Sequence, residues 1–365
     1  MNITIVGAGN IGLAITAYLS AHKEHRITLF TNKKFDFLFV NDIESNNHVR
    51  TENFKVTNSI SAFSNADYIL CTYPAFLRKK LIENYGMYIR KGAKLGFIPG
   101  YGGAEYFCKE LISRGIVVFG LQRVPFVARA NKNEAKILSK KEKLYISSIP
   151  SDARMAISKE IENMLDIPTV ALKDYLSITL TPTNPIIHIA GLWGAFKDYN
   201  ADEGYTGKSG FYDQWNDDTS NIMFEYDFEV QEICKHLNMF DLSSVVSLPV
   251  YYESDTPHKL TQKLKSIEAF KVVQVPLKKN NDKLIVDLQN RMFIEDYPYG
   301  VVIYKDIANL LNLKTPTIDK MLLFYEKLSG IKYDFNKNKC LNKETGAPTA
   351  NGLETCEALI DFYRQ

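Results

Sequence analysis

Residues 1–20, MNITIVGAGNIGLAITAYLS, decide the reading of the fold. Residues 2–6 are a short apolar run and residues 11–19 an apolar-rich helical stretch. Gly7, Gly9 and Gly12 fill the junction with the spacing G-x-G-x-x-G. In such a turn the first glycine permits the tight bend, and the second lets backbone approach a pyrophosphate. The third lets helix and strand pack closely. The helix amino terminus then offers unpaired N–H groups and a positive dipole end to phosphate oxygens. A glycine turn of purely structural use is the competing reading. The position at the first strand–helix junction argues against it. Gly7, Gly9, Asn10, Ile11 and Gly12 are the first candidates for contact with a dinucleotide.

A second strand is expected at residues 26–30, running into Thr31-Asn32-Lys33-Lys34. An Asp or Glu at this point, about 20 residues past the glycines, would hold the adenosine ribose 2′-hydroxyl of NAD. No acid stands there. Thr31 and Asn32 are neutral, whereas Lys33 and Lys34 can neutralise a 2′-phosphate. This charge argument favours NADP(H), with NAD(H) still compatible. The plain alternative is two solvated lysines in a surface turn.

Further strands are expected at residues 66–72, 94–98 and 116–119, separated by helical stretches at 76–88 and 104–113. That alternation predicts an α/β amino-terminal Rossmann domain with a doubly wound, mostly parallel sheet. The loops after CTYP and FIPGYGG lie at strand carboxyl ends, where ligands sit in open α/β sheets. Pro74 and the run Gly100, Gly102, Gly103 would let backbone approach the cofactor or substrate, or else serve as ordinary turn residues. LQRVPFVARA and KEKLYISSI are expected to extend the sheet. The polar NKNEAKILSKK between them reads as a hairpin loop or short excursion.

From about residue 152 the composition shifts to helices. SDARMAISKEIENML is amphipathic, with Ser151 or Asp152 as N-cap. NPIIHIAGLWGAF is apolar nearly all round and predicts a buried helix, with Asn184 capping it and Pro185 in its first turn. Residues 220–237, 266–273, 301–313 and 315–330 also read as helices. The expected division is 1–165 for the nucleotide domain and 166–365 for an all-α substrate domain, with the active site between them.

Composition limits the function classes. In 365 residues, 44 basic side chains face 42 acidic ones, for a net charge of +2. That balance gives no reason to expect a nucleic-acid surface or a polybasic membrane patch. The five cysteines are an odd number without a CxxC pair, so neither a zinc site nor a disulfide framework is expected. The chain starts directly with a strand, and no apolar run reaches about 18 residues. A cytoplasmic protein without a membrane span is expected, acting on small molecules, and a homodimer is compatible with this.

Hydride chemistry needs a proton donor and anchors for substrate charge. His188, near the start of the apolar helix, is the donor candidate. There the helix dipole disfavours imidazolium, and a neighbouring carboxylate would favour it. Both act on a group whose ordinary pKa is about 6.5. A satisfied core histidine is the alternative. The stretch NRMFIEDYPYG offers Arg291, Glu295 and Asp296. Arg can grip a carboxylate through two parallel hydrogen bonds, and Asp can orient a histidine. A surface ion pair is the alternative. Trp193 and the aromatic-rich GYTGKSGFYDQW are candidate walls for a side chain of the substrate, or core.

LSITLTPTNPIIHIAGLW, SIEAFK, NRMFIEDYPYG and KTPTIDKMLLFYEKLSG together resemble the carboxy-terminal domain of the octopine/nopaline dehydrogenase family, and GLQRVPFVAR and the glycine motif fit it too. The resemblance implies a Rossmann domain joined to an all-helical one. It also implies a reductase that condenses an amino acid with a 2-oxo acid, commonly pyruvate, to give an opine. The His of the family's NPxxH segment matches His188, and the Arg and Asp of its R…ED segment match Arg291 and Asp296. By that match His188 is the general acid/base, Asp296 its orienting carboxylate and Arg291 a carboxylate anchor. Two rivals stand beside it. One is a ketopantoate or glycerol-3-phosphate dehydrogenase-like reductase, in which a catalytic lysine usually sits in the helical domain. The other is a non-catalytic NADP sensor.

Overall fold

The run Asn2–Val6 forms β1, and the glycines lead from it into the helix Asn10–His22. The computed structural model describes residues 1–365 apart from Lys23, Pro182 and Thr183, the last two of which belong to the LSITLTPTNPIIH stretch. The chain divides into two units, residues 1–179 with 360–365, and residues 180–359.

In the first unit the strands are β1 (Asn2–Val6), β2 (Arg26–Phe30), β3 (Leu38–Asp42), β4 (Asn47–Thr51), β5 (Phe54–Thr57) and β6 (Tyr68–Cys71). They are followed by β7 (Lys94–Phe97), β8 (Val117–Leu121), β9 (Phe126–Asn131), β10 (Glu134–Lys140), β11 (Leu144–Ile149) and β12 (Thr169–Ala171). Eight of them make one sheet in the order β12-β11-β8-β7-β6-β1-β2-β5. All neighbours run parallel except β11 and β8, so the sheet is mostly parallel, as expected. Strand order reverses between β1 and β6. That is the point where an open α/β sheet leaves a crevice at its strand carboxyl ends. Fully buried strands such as Tyr68–Cys71 are the near-continuous apolar runs that a sheet covered on both faces requires.

Two segments depart from the sequence reading. NKNEAKILSKK is not a loop: residues 134–140 form β10, and VPFVARA leaves the main sheet as β9. With β3 and β4 they make a second sheet, ordered β4-β3-β10-β9. Ala135 and Ile137 are buried, whereas Lys136 and Leu138 are exposed. The polar residues that suggested a loop are thus the outer face of a one-sided strand. Its inner face packs on the first helix through Phe126, Ala128, Ile137, Leu13 and Tyr18.

The unit boundary falls after Thr179 rather than near residue 165, because Thr169–Ala171 adds a strand beside β11. The helix Arg154–Leu165 lacks the expected side-chain cap. A 3₁₀ turn at Ser151–Ala153 precedes it, and Arg154 Nη1 donates to the Ser151 carbonyl at 2.6 Å, satisfying an acceptor within that turn.

The second unit is helical, with Asn184–Phe196, Asp217–His236, Pro257–Ser266, Val302–Leu310 and Pro316–Ser329 as its main helices. Asn216 caps the longest, its side chain accepting from the Thr219 N–H at 3.0 Å. SIEAFKVV is not a helix; only Glu268–Phe270 turns, after Ile267 takes an extended conformation, and the two adjacent β-branched valines do not carry it on. Two short hairpins interrupt the helices. One joins Leu277–Asn280 to Lys283–Val286 through a turn in which Asn281 takes φ 53°. Among the described residues no helix is long and apolar enough to cross a membrane.

Candidate functional site

The three glycines of the first turn stand in three different surroundings. Gly7 sits at φ 109°, a region side chains rarely adopt. A Cβ on Gly12 would lie 1.9 Å from the Gly7 carbonyl oxygen, so helix and strand touch there backbone to backbone. A Cβ on Gly9 would meet nothing within 4 Å. Gly9 is therefore free of any packing constraint from the protein, and its open side is where an incoming ligand has room. Asn10 opens the helix, and its side-chain Oδ1 accepts from the Ala130 N–H at 2.9 Å.

At the end of β2, Thr31 Oγ1 accepts from the Lys33 N–H at 3.2 Å, and Asn32 Oδ1 accepts from Asn58 at 3.1 Å. Lys33 and Lys34 are exposed. A cavity of about 380 Å³ lies here, lined by Gly9, Asn10, Lys33, Lys34, Lys132 and Asn133 among others. Ile11 is half-buried in the first turn of the helix. Pro74 stands as the N-cap of the helix Ala75–Tyr85 at the carboxyl end of β6.

Arg78, absent from the sequence-based candidates, proves to organise the two loops at the carboxyl ends of β6 and β7. It is 1 % exposed. Its Nε donates to the Tyr73 carbonyl at 3.0 Å, Nη1 to Tyr101 at 2.5 Å and Nη2 to Pro99 at 3.0 Å. One guanidinium thus satisfies backbone acceptors on both loops, which is how a buried cation is tolerated where, among the described residues, no carboxylate pairs with it.

In the second unit His188 and Asp296 meet. The Nδ1–Oδ2 distance is 2.8 Å, with the histidine side chain 19 % exposed and the aspartate 4 %. The helix Asn184–Phe196 places the imidazole. Its other faces bury Ile186, Ile187, Ile189 and Leu192, fixing its rotation. Asp296 comes from the junction between the short helix Arg291–Ile294 and an irregular turn at Tyr297–Val301. Burial pushes its carboxyl above the usual range, and the neighbouring His188 opposes that shift. Because a carboxylate accepts at Nδ1, the proton sits on Nδ1 in the neutral ring and Nε2 is left as the basic nitrogen. The Phe211 ring meets the imidazole edge-on at 6.1 Å between centroids.

Arg291 lies at the start of the short helix that leads to Asp296. Its Nε donates to Glu295 Oε2 at 2.8 Å, with the arginine side chain 65 % exposed and the glutamate 5 %. The candidate aromatic walls divide. Phe211, Tyr212 and Trp215 are buried, and Tyr212 stacks on Phe270 at 4.3 Å, so these rings form core beside the histidine helix. Trp193 is half-buried, with the ammonium groups of Lys197 and Lys320 at 4.9 Å and 4.7 Å from its ring centroid. Of the remaining histidines, His22, His48, His236 and His258 are exposed.

A glycine-turn nucleotide fold and a helical unit carrying a histidine–carboxylate pair define a dehydrogenase of the two-unit NAD(P) type. Residues 171–329 match the model for the α-helical domain of NAD/NADP octopine/nopaline dehydrogenase. Residues 3–151 match the model for ketopantoate reductase PanE/ApbA. Tauropine dehydrogenase of Arabella iricolor is 22 % identical over 337 residues, covering 86 % of this chain and 84 % of its own length. Octopine dehydrogenase of Pecten maximus is 21 % identical over 322 residues, covering 82 % and 79 %. A solved structure of octopine dehydrogenase with NADH and L-arginine superposes with a TM-score of 0.85 at 18 % identity, covering 98 % of this chain and 97 % of that one. Over residues 171–329 the chain is similar to the octopine/nopaline dehydrogenase family.

Proposed function

We propose that this protein is an opine dehydrogenase. In this reading it joins an amino acid to a 2-oxo acid such as pyruvate, reversibly, using a nicotinamide cofactor. The observation that carries the reading is the 2.8 Å contact between His188 and Asp296, inside the stretch that matches the family's helical domain. An orienting carboxylate on one ring nitrogen leaves the other to move protons, an arrangement a passive nucleotide sensor does not need.

The residues of the first unit suit a dinucleotide. The open side of Gly9, the helix start at Asn10 and the cavity beside Lys33 and Lys34 offer room, N–H donors and positive charge in the order that a pyrophosphate and an adenosine ribose require. Gly7, Gly9, Asn10, Ile11 and Gly12 would hold the pyrophosphate side, and Thr31, Asn32 and Lys33 the ribose side, with Pro74 at the neighbouring loop. Lys33 and Lys34 with no acid at the end of β2 support NADP(H) over NAD(H). When bound, the reduced nicotinamide supplies hydride to an imine carbon.

The protein's own part is proton transfer and anchoring. His188 Nε2 takes a proton from the substrate ammonium, so the free amine adds to the ketone. It then returns that proton to the hydroxyl of the adduct, which leaves as water, and the protonated imine is left. Asp296 supports the imidazolium produced in between. Arg291 binds a substrate carboxylate, its guanidinium steadied by Glu295. The five free thiols suit the reduced cytoplasm, where we place the enzyme as a homodimer.

A matrix of amino acids against 2-oxo acids, followed at the NADPH absorbance band with NADH in parallel, tests this reading. Oxidation that needs both substrates is expected. Equal oxidation with the oxo acid alone would favour a ketopantoate reductase-like activity, the rival that the match of residues 3–151 brings to mind.

A further inference from the structure

The second sheet ends in a turn that reaches the nucleotide cavity. β9 and β10 join through two residues, Lys132 and Asn133, with Lys132 at φ 49°. Three contacts aim this turn. The Ala130 N–H donates to Asn10 Oδ1 at 2.9 Å, tying β9 to the start of the first helix. The Phe39 N–H donates to the Asn133 carbonyl at 2.7 Å, tying the turn to β3. The inner face of the hairpin packs in the same core as the first helix. Lys132 is thus carried on a fixed element and lines, together with Lys33 and Lys34, the cavity of about 380 Å³.

Among the described residues none of these three ammonium groups is paired with a carboxylate. Three like charges around one cavity repel each other, and an anion of high charge density between them removes that cost. The glycine turn already accounts for a pyrophosphate. The second anion belongs where the ribose lies, at the end of β2. A phosphomonoester there carries about −1.5 to −2 charges and three acceptor oxygens.

We infer that the β9–β10 turn is the outer wall of the cofactor's adenosine site, and that Lys132 is a specificity determinant that binds a ribose 2′-phosphate together with Lys33 and Lys34. This rests on the nucleotide reading of Gly7, Gly9 and Gly12. It goes further in giving the second sheet a task, because the end of β2 alone would leave the phosphate open on one side. A nearby main-chain turn fixed at three points also holds the cation better than a free surface side chain does.

Lys132→Asn is the test variant, since asparagine tolerates positive φ and the turn is kept. Lys132→Arg keeps the charge. The dissociation constants of the full-length protein for NADPH and NADH are measured by titration, with thermal midpoints confirming the fold. Lys132→Asn is expected to weaken NADPH roughly tenfold, the value of one hydrogen bond to a charged group, and NADH less than about twofold. Lys132→Arg stays close to the parent. Equal weakening for both dinucleotides, or unchanged NADPH binding, overturns the inference. A parent protein that binds neither dinucleotide contradicts the nucleotide reading itself, and this inference falls with it.

Discussion

Replacing His188 by Ala is expected to lower kcat by about 100-fold or more, with the dissociation constant for the nicotinamide cofactor unchanged. The split follows from location. His188 belongs to the helical unit, whereas the glycine turn and the lysine-lined cavity belong to the first unit. Removing the ring also leaves Asp296 buried without the group that opposes its upward shift, so burial pushes its carboxyl up further. Steady-state kinetics with cofactor titration checks both halves. A variant that turns over at the parent rate removes His188 from the proton transfers.

The second large effect concerns the glycine turn. Gly9→Ala and Gly12→Ala are expected to fail in different ways. At Gly12 the new Cβ would lie 1.9 Å from a carbonyl oxygen of the backbone, so helix and strand must move apart. Overpacking of this kind costs about 1–3 kcal/mol of stability, and the distorted turn loses cofactor affinity as well. At Gly9 the new Cβ meets no protein atom within 4 Å. Stability should hold to about 0.5 kcal/mol, as for an ordinary surface change. Cofactor affinity should nevertheless fall roughly tenfold or more, because the methyl would occupy the side from which we propose that the pyrophosphate approaches. Thermal melts and cofactor titrations on the two variants separate the cases. Gly9→Ala with full affinity would show that no ligand backbone approaches there.

The parts of this architecture that were legible in the sequence are those with local causes. The G-x-G-x-x-G turn writes its geometry into three residue types, and the buried helix around His188 declares itself by being apolar on every side. Asp296 is different: it lies 108 residues from His188, and the pairing was legible only through the resemblance of the two segments. The second sheet was missed because β10 alternates buried Ala135 and Ile137 with exposed Lys136 and Leu138 inside a polar stretch, and such a one-faced strand looks like a loop. Lys132 could not be found for the same reason, since its place at the cavity depends on β9, β10 and β3 pairing across almost 100 residues of chain. Arg78 was hidden beside Lys79 and Lys80. Only the tertiary fold says which of three adjacent cations turns inward to collect loop carbonyls. SIEAFKVV failed for lack of any continuing pattern past Phe270.

The central claim is that an amine and a ketone are joined through a reduced imine at His188 and Asp296. Its most direct test is the product made from pyruvate, an amino acid and cofactor deuterated at the hydride-donating carbon, read by mass spectrometry. The account predicts one deuterium on the former carbonyl carbon of pyruvate, in a molecule where that carbon is bonded to the amino acid nitrogen. Deuterated lactate formed at the same rate whether or not the amino acid is present would contradict it.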